Sequence, residues 1–258
     1  YGRDLRLVGE THASEVLNRV PGVMIQRGSG QESLTAIRSP VLTGAGSCGA
    51  FLFLENGVSI RPVGFCNVNE MLEINVEQAE AVEVIRGTGG ALYGSSAMHG
   101  VVNMLQPLPS GRARLGAGLV LGPDDYRRAS IEGRLDGAQT GFGLAALHTH
   151  DGGWRDSSGF DEAKLNATWA RGHGATPWRV DLAATDLDQQ TAGFIVGQDA
   201  YRDERLAASN PNPEAYRAAR ALRLTGSFTP TVPLAATLEL RPYLRHSRMD
   251  FLQHFLLG

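Results

Sequence analysis

The sequence is short of everything that would tie it to a polyanion, a helical membrane anchor or a bond-making site. Its 24 Lys+Arg stand against 27 Asp+Glu, a net charge of −3, so no nucleic-acid partner is expected. No window holds the roughly 18–20 successive apolar residues that a membrane-spanning helix needs. The chain opens at Tyr1 without an initiator Met or a signal peptide, as expected of a mature or trimmed product. His148 and His150 share a strand face beside Asp151, but strand-end histidines are commoner than ligand pairs. No other His, Cys or carboxylate cluster has ligand spacing, so the reading is no metal, no cofactor and no enzyme.

What is abundant is glycine, 32 residues of it. The stretch "EVIRGTGGALYGSSAMHGVVNM" (83–104) runs from a strand-like segment into Gly87, Gly89 and Gly90. A dinucleotide site needs a third glycine where Leu92 stands, and a P-loop needs Lys-Ser/Thr where Gly94 is followed by Ser95-Ser96. A nucleophile elbow fails as well, because Met98 stands where a glycine is required after Ser96. The glycines therefore serve the backbone rather than a phosphate.

The two cysteines, Cys48 and Cys66, bracket "AFLFLENGVSIRPVGF", whose Asn56-Gly57 is a strong hairpin signal. Pairing outward from that turn sets Cys48 nearly opposite Cys66, which makes a cross-strand disulfide plausible and would imply an oxidising compartment. Two free thiols are the alternative.

The chain divides near "QPLPSG" (106–111). Residues 1–109 mix element types. Ala13, Val16, Leu17 and Val20 recur at i, i+3, i+4, i+7 and predict a short helix with Thr11 as cap and Pro21-Gly22 as stop. Strands are expected over 23–27, 34–38, 50–55, 58–61 and 81–86, with a helical turn over "NVNEMLEI" (67–74). Residues 110–258 alternate instead. Strands are expected over 112–122, 128–136, 141–150, 160–171, 178–186, 222–228 and 236–245. Most are 9–11 residues long, as in lipid-facing barrels, whereas soluble sandwich strands are nearer five or six. Connections are tight at "GPDD", "GAQ" and "GHGAT" but long over 189–219. A soluble β-rich periplasmic binding protein remains the competing class, with its apolar strand faces packed on each other.

The glycine stretch resembles the plug signature of TonB-dependent outer-membrane receptors. Val84-Ile85-Arg86-Gly87, Ala91-Leu92-Tyr93-Gly94 and Gly100-Val101-Val102-Asn103 follow that family's order. "SEVLNRVPGVMIQ", "TAIRS" (with Ser39 in place of a glycine) and "FLFLENGVSI" precede them in sequence. The resemblance covers about 95 residues. It implies an α+β plug domain over 1–109, followed over 110–258 by antiparallel transmembrane β-barrel strands with a long extracellular loop at 189–219. Arg86, Gly87, Gly89, Gly90, Tyr93, Gly94, Gly100 and Asn103 form the structural plug motif, the glycines allowing positive φ and close packing against the barrel wall.

The resemblance further implies a bacterial outer-membrane receptor for energy-coupled import of a scarce ligand. A ferric siderophore leads, with cobalamin, haem or a saccharide behind it; TonB and outer-membrane lipid are the implied partners. The ligand floor maps to the apical plug loops, at Arg27, Gly28, Ser29, Gly30, Gln31 and Glu32 and at Arg61, Phe65 and Asn67. The arginines would suit an anionic chelate. No TonB-pairing segment is evident before Leu5, and family barrels resemble 22 strands whereas about seven are present. Seven cannot close around a plug, so a partial barrel is expected, the N-terminal part of a larger receptor that would not insert as a channel alone.

Overall fold

Alternation of side chains decides the larger half of the molecule, and the computed structural model shows which way each face points. It describes residues 8, 11–41, 50–60, 71–109, 111–137, 139–171, 177–232 and 236–252. Seven strands, β7 (Arg114–Leu121), β8 (Arg127–Asp136), β9 (Gly141–Asp151), β10 (Phe160–Arg171), β11 (Trp178–Gln190), β12 (Tyr216–Phe228) and β13 (Tyr243–Leu252), form one antiparallel meander in sequence order. We call this sheet the wall.

The wall is inverted relative to a soluble sheet. On β10, Glu162, Lys164, Asn166 and Thr168 are buried, while Trp169 on the opposite face is 54% exposed. Leu222 and Leu224 on β12 and Leu244 on β13 are likewise exposed, whereas Arg217 and Arg223 are buried. A sandwich in water would bury the leucines and expose the arginines. The opposite choice is stable only where the outer medium is apolar, as lipid is. Register continues the apolar face across strands: Phe142 lies opposite Trp169, Trp169 opposite Val180, and Leu182 opposite Leu224. Trp169 and Trp178 meet edge to face at 4.8 Å near the end with short turns.

The described residues between 11 and 109 pack against the polar face of the wall. A four-stranded sheet, in the order β4 (Val58–Ser59), β3 (Phe51–Glu55), β6 (Gly100–Leu105), β5 (Ala81–Arg86), carries its centre. β3 and β6 run parallel; Phe51 and Phe53 pack into one apolar cluster and Leu52 and Leu54 into another, so both faces of β3 are covered and its five residues are all buried. A separate two-stranded ribbon joins β1 (Val23–Arg27) to β2 (Ser33–Ile37), Ile25 opposite Thr35. Leu17, Ile25, Ile37, Phe51, Phe53 and Val102 form the core, each at most 2% exposed.

The Asn56-Gly57 turn forms as read. Glu55 pairs with Val58, and φ is +49° at Asn56 and +78° at Gly57, the two positive values a type I′ turn demands. The hairpin continues past β4 through Ile60 N–H to the Phe53 carbonyl at 3.1 Å, while the other edge of β3 pairs with β6. Cys48 and Cys66 lie outside the described residues, as do Arg61, Phe65 and Asn67.

Several expectations are corrected. The helix spans Ala13–Leu17 but its cap is His12, whose Nδ1 accepts from Ser14 N at 3.0 Å; Thr11 instead bonds the Glu15 carboxylate. The helical turn expected over 67–74 lies outside the described residues up to 70; its described end is a turn closed by Ile74 N–H to the Met71 carbonyl at 3.1 Å, and a 3-10 turn follows at Val76–Gln78. The last strand is Tyr243–Leu252 rather than 236–245, and β11 and β12 extend to Gln190 and back to Tyr216.

Candidate ligand floor and plug seat

The loop between β1 and β2 stands at the wall end that carries the long connections. It closes on itself through Gly28 N–H to the Glu32 carbonyl (2.9 Å) and Glu32 N–H to the Ser29 carbonyl (3.0 Å). Arg27 Nε donates to the Gly30 carbonyl at 3.3 Å, and its guanidinium is 4.0 Å from Glu15.

Of the six residues mapped here as ligand floor, Arg27 and Gly28 are exposed and Ser29 and Gly30 half-buried. Gln31 and Glu32 are turned inward at 6% exposure each and hold the loop in place. Gln31 Nε2 donates to the Thr11 carbonyl at 2.9 Å, and Glu32 forms an ion pair with Arg217 of β12. His12 Nε2 donates to the Glu32 carbonyl at 3.0 Å while Nδ1 accepts the helix cap, so the ring is the neutral Nε2–H tautomer. Burial, with Arg27 and Lys164 nearby, lowers the His12 pKa to about 4.

Two loops rise beside this floor, 152–159 after β9 and 191–215 after β11. Arg155 clasps them, donating from Nη2 to the Ser209 carbonyl (2.7 Å) and the Gly193 carbonyl (2.8 Å). Asp156 N–H adds a bond to the Ala208 carbonyl at 2.8 Å. Trp154, Phe194 and Tyr201 stand out from the pair at 65%, 83% and 72% exposure. Sequence reasoning flagged the longer loop but not the clasp, whose partners lie 38 and 54 residues away.

Below the floor the plug sits on the wall through polar contacts. Lys164 Nζ bridges Glu77 of the plug (2.9 Å) and Glu162 of its own strand (3.1 Å). Asn75 donates to Asn166 Oδ1 at 2.7 Å and accepts from Thr185 at 3.2 Å. Arg223 reaches Glu55 at 2.6 Å, and Arg245 pairs with Glu73. Burial pushes Glu73 above the usual carboxylate range. It presses Glu77 the same way, but Lys164 and Arg128 outweigh it and hold Glu77 below that range. Leu72, Phe160, Leu187 and Ala219 supply an apolar patch within this seam.

The signature motif stands apart from the seat. Arg86 Nη1 donates to the Pro21 carbonyl at 2.8 Å. Asn103 accepts from Gly57 N (3.0 Å) and donates to Glu83 (2.9 Å), tying the hairpin turn to β5. Positive φ occurs at Gly87, Gly90 and Gly94. Close packing occurs at Gly89 and Gly100, but against Ala97 and Ile37 of the plug itself rather than the wall. Tyr93 is 37% exposed and Leu92 97%. Among the described residues, no group of three or more His, Cys, Asp or Glu is placed to hold a metal ion. His148 and His150 instead both face Asp161, at 3.9 and 2.9 Å.

The family described as TonB-dependent Receptor Plug Domain matches residues 2–101. Residues 2–101 thus carry the plug domain of that family, and the chain is similar to TonB-dependent outer-membrane receptors. Members of this family are receptors and transporters, not enzymes. The vitamin B12 transporter BtuB of Vibrio vulnificus (strain CMCP6) is 32% identical over 158 residues, 60% of this chain and 24% of the transporter. Among solved structures, the ferric citrate transporter FecA in its unliganded form superposes with a TM-score of 0.78 at 17% identity, over 95% of this chain and 38% of FecA. The ferric yersiniabactin uptake receptor FyuA of Yersinia pestis gives 0.71 at 19%, over 92% and 38%. These likenesses establish the receptor fold, a plug followed by barrel strands. The chain spans about a quarter to two fifths of the length of these relatives.

Proposed function

We propose that the whole receptor imports a scarce ligand across the outer membrane by TonB-driven displacement of the plug, with a ferric siderophore as the leading ligand. The observation that carries this reading is the seat. Beside one small apolar patch, the seat is held by ion pairs and hydrogen bonds, of a kind that water can replace as the plug shifts, whereas a wholly apolar seam would have to expose its surface. Residues 1–109 act as the plug, and 110–258 as the start of the barrel. The ligand rests on the floor near Arg27, beneath the clasped loops, where an exposed guanidinium suits an anionic chelate.

Cobalamin is the second reading, favoured by the BtuB likeness at 32% identity. The test is uptake of radiolabelled ferric siderophores, cyanocobalamin and haem by cells of the source organism. Parent cells are compared with cells lacking the full-length gene and cells with TonB inactivated. Loss of one ligand in both altered strains is the expected result and names the substrate. Uptake that needs the gene but survives TonB inactivation would indicate a passive pore and overturn the proposal.

A further inference from the structure

Gln189 lies at the upper end of β11, 158 residues from the loop it serves and 1% exposed. Its side-chain amide engages the plug backbone at both ends. Oε1 accepts from Gln31 N–H at 3.0 Å, and Nε2 donates to the Ser29 carbonyl at 3.3 Å. Gly30, between those two residues, has φ +53°, and a Cβ there would lie 2.5 Å from Gln189 Oε1. Ser29 Oγ donates to the Ala192 carbonyl at 3.1 Å, just past the end of β11. The buried Arg217–Glu32 pair adds a tie from β12, the strand at the far end of the 191–215 loop. The wall thus reads the loop's backbone at 29 and 31 and its one carboxylate at 32.

We propose that Gln189 and Arg217 are positioning residues that template the 27–32 loop from the wall, so that the ligand floor keeps its shape only while the plug is seated. Within the loop, the internal bonds number few, and one of them, Glu32 N–H to Ser29, shares its carbonyl with Gln189. Lifting the plug removes the Gln189 amide and leaves Gln31 N–H to solvent. The floor then loosens together with the seat, so displacement itself weakens the hold on ligand. By linkage, a ligand that binds the ordered floor strengthens the seating. This inference rests on the import reading for its purpose, but its structural content does not depend on which ligand is carried.

The experiment is residue-resolved amide hydrogen exchange on the full-length receptor in detergent, without ligand. Gln189→Met keeps the length and removes both hydrogen bonds. The expected result is about tenfold faster exchange at Gln31, with β5 and β6 unchanged. Gly30→Ala approaches the same contact from the plug side. It should speed Gln31 exchange in the parent, and add less in the Gln189→Met background, where there is no Gln189–Gln31 hydrogen bond left for it to break. Unchanged exchange at Gln31 in both single variants would overturn the proposal. So would a rise shared equally by β5 and β6, which would mark general loosening. Neither result bears on uptake, so the import reading stands or falls separately.

Discussion

The plug and the wall are built by opposite rules from the same residue types. In the plug, Phe51, Phe53 and Val102 lie inside and charged residues lie on its surface. In the wall, arginine, lysine and glutamate lie inside and leucine and tryptophan outside. The difference is the solvent each outer face meets. The two rules join at the seat, where the plug's outward carboxylates Glu55, Glu73 and Glu77 find the wall's inward Arg223, Arg245 and Lys164. The plug's polar surface is thereby matched by a polar lumen.

That contrast can be broken most strongly from the plug side. Phe53→Ala should destabilise the plug by about 3–5 kcal/mol, a value typical of large-to-small changes in a well-packed core, read as a lowered unfolding transition of the full-length receptor. On the wall, Leu224→Arg should cost about 2–4 kcal/mol in a bilayer, seen as lost assembly of folded barrel. The same substitution in a soluble sheet's exposed face would be nearly neutral, so a null result would contradict the inversion.

Acid sharpens the comparison within the plug. His12 is held neutral in the folded state with a pKa of about 4, against about 6.5 when unfolded. The unfolded state therefore binds more protons between those values. The contribution is fully present above pH about 6.5 and is lost as pH falls toward 4, on the order of 2–3 kcal/mol. Calorimetry of the receptor across that window should show the plug transition falling, and His12→Gln should flatten the fall. The smallest effect is at the hairpin. Gly57→Ala forces an L-residue into positive φ and should cost about 1 kcal/mol, measurable as a small shift of the same transition.

The sequence made much of this legible where the period was strong. β1, β5 and β10 have the bounds that the residues predict, and the Asn56-Gly57 turn follows from its two residues alone. The misplaced strand ends share one cause. Near the loop end the wall's outward face ceases to be apolar: Asp186 and Asp188 on β11, Arg220 on β12, and Arg248 and Asp250 on β13 all face outward there. Strands continue while the alternation that announces them fades, so the pattern ends β11 and β12 short and displaces β13. The floor's supports were hidden for another reason. Arg217 and Glu32 are 185 residues apart, and Gln189 and Gln31 are 158, separations that leave no local pattern. His12 carries no sequence signal as a cap, because hydroxyl and carboxyl side chains, not imidazole, are the usual helix caps.

The inverted wall is tested most directly by single nitroxide labels in the full-length receptor in lipid bilayers, placed at outward-facing 182 and 224 and inward-facing 166 and 183. Collision with oxygen, which concentrates in lipid, is compared with collision with a water-soluble nickel complex. The account predicts strong oxygen and weak nickel relaxation at 182 and 224, and weak relaxation by both at 166 and 183. Strong nickel access at 182 and 224 would put those leucines in water and contradict it.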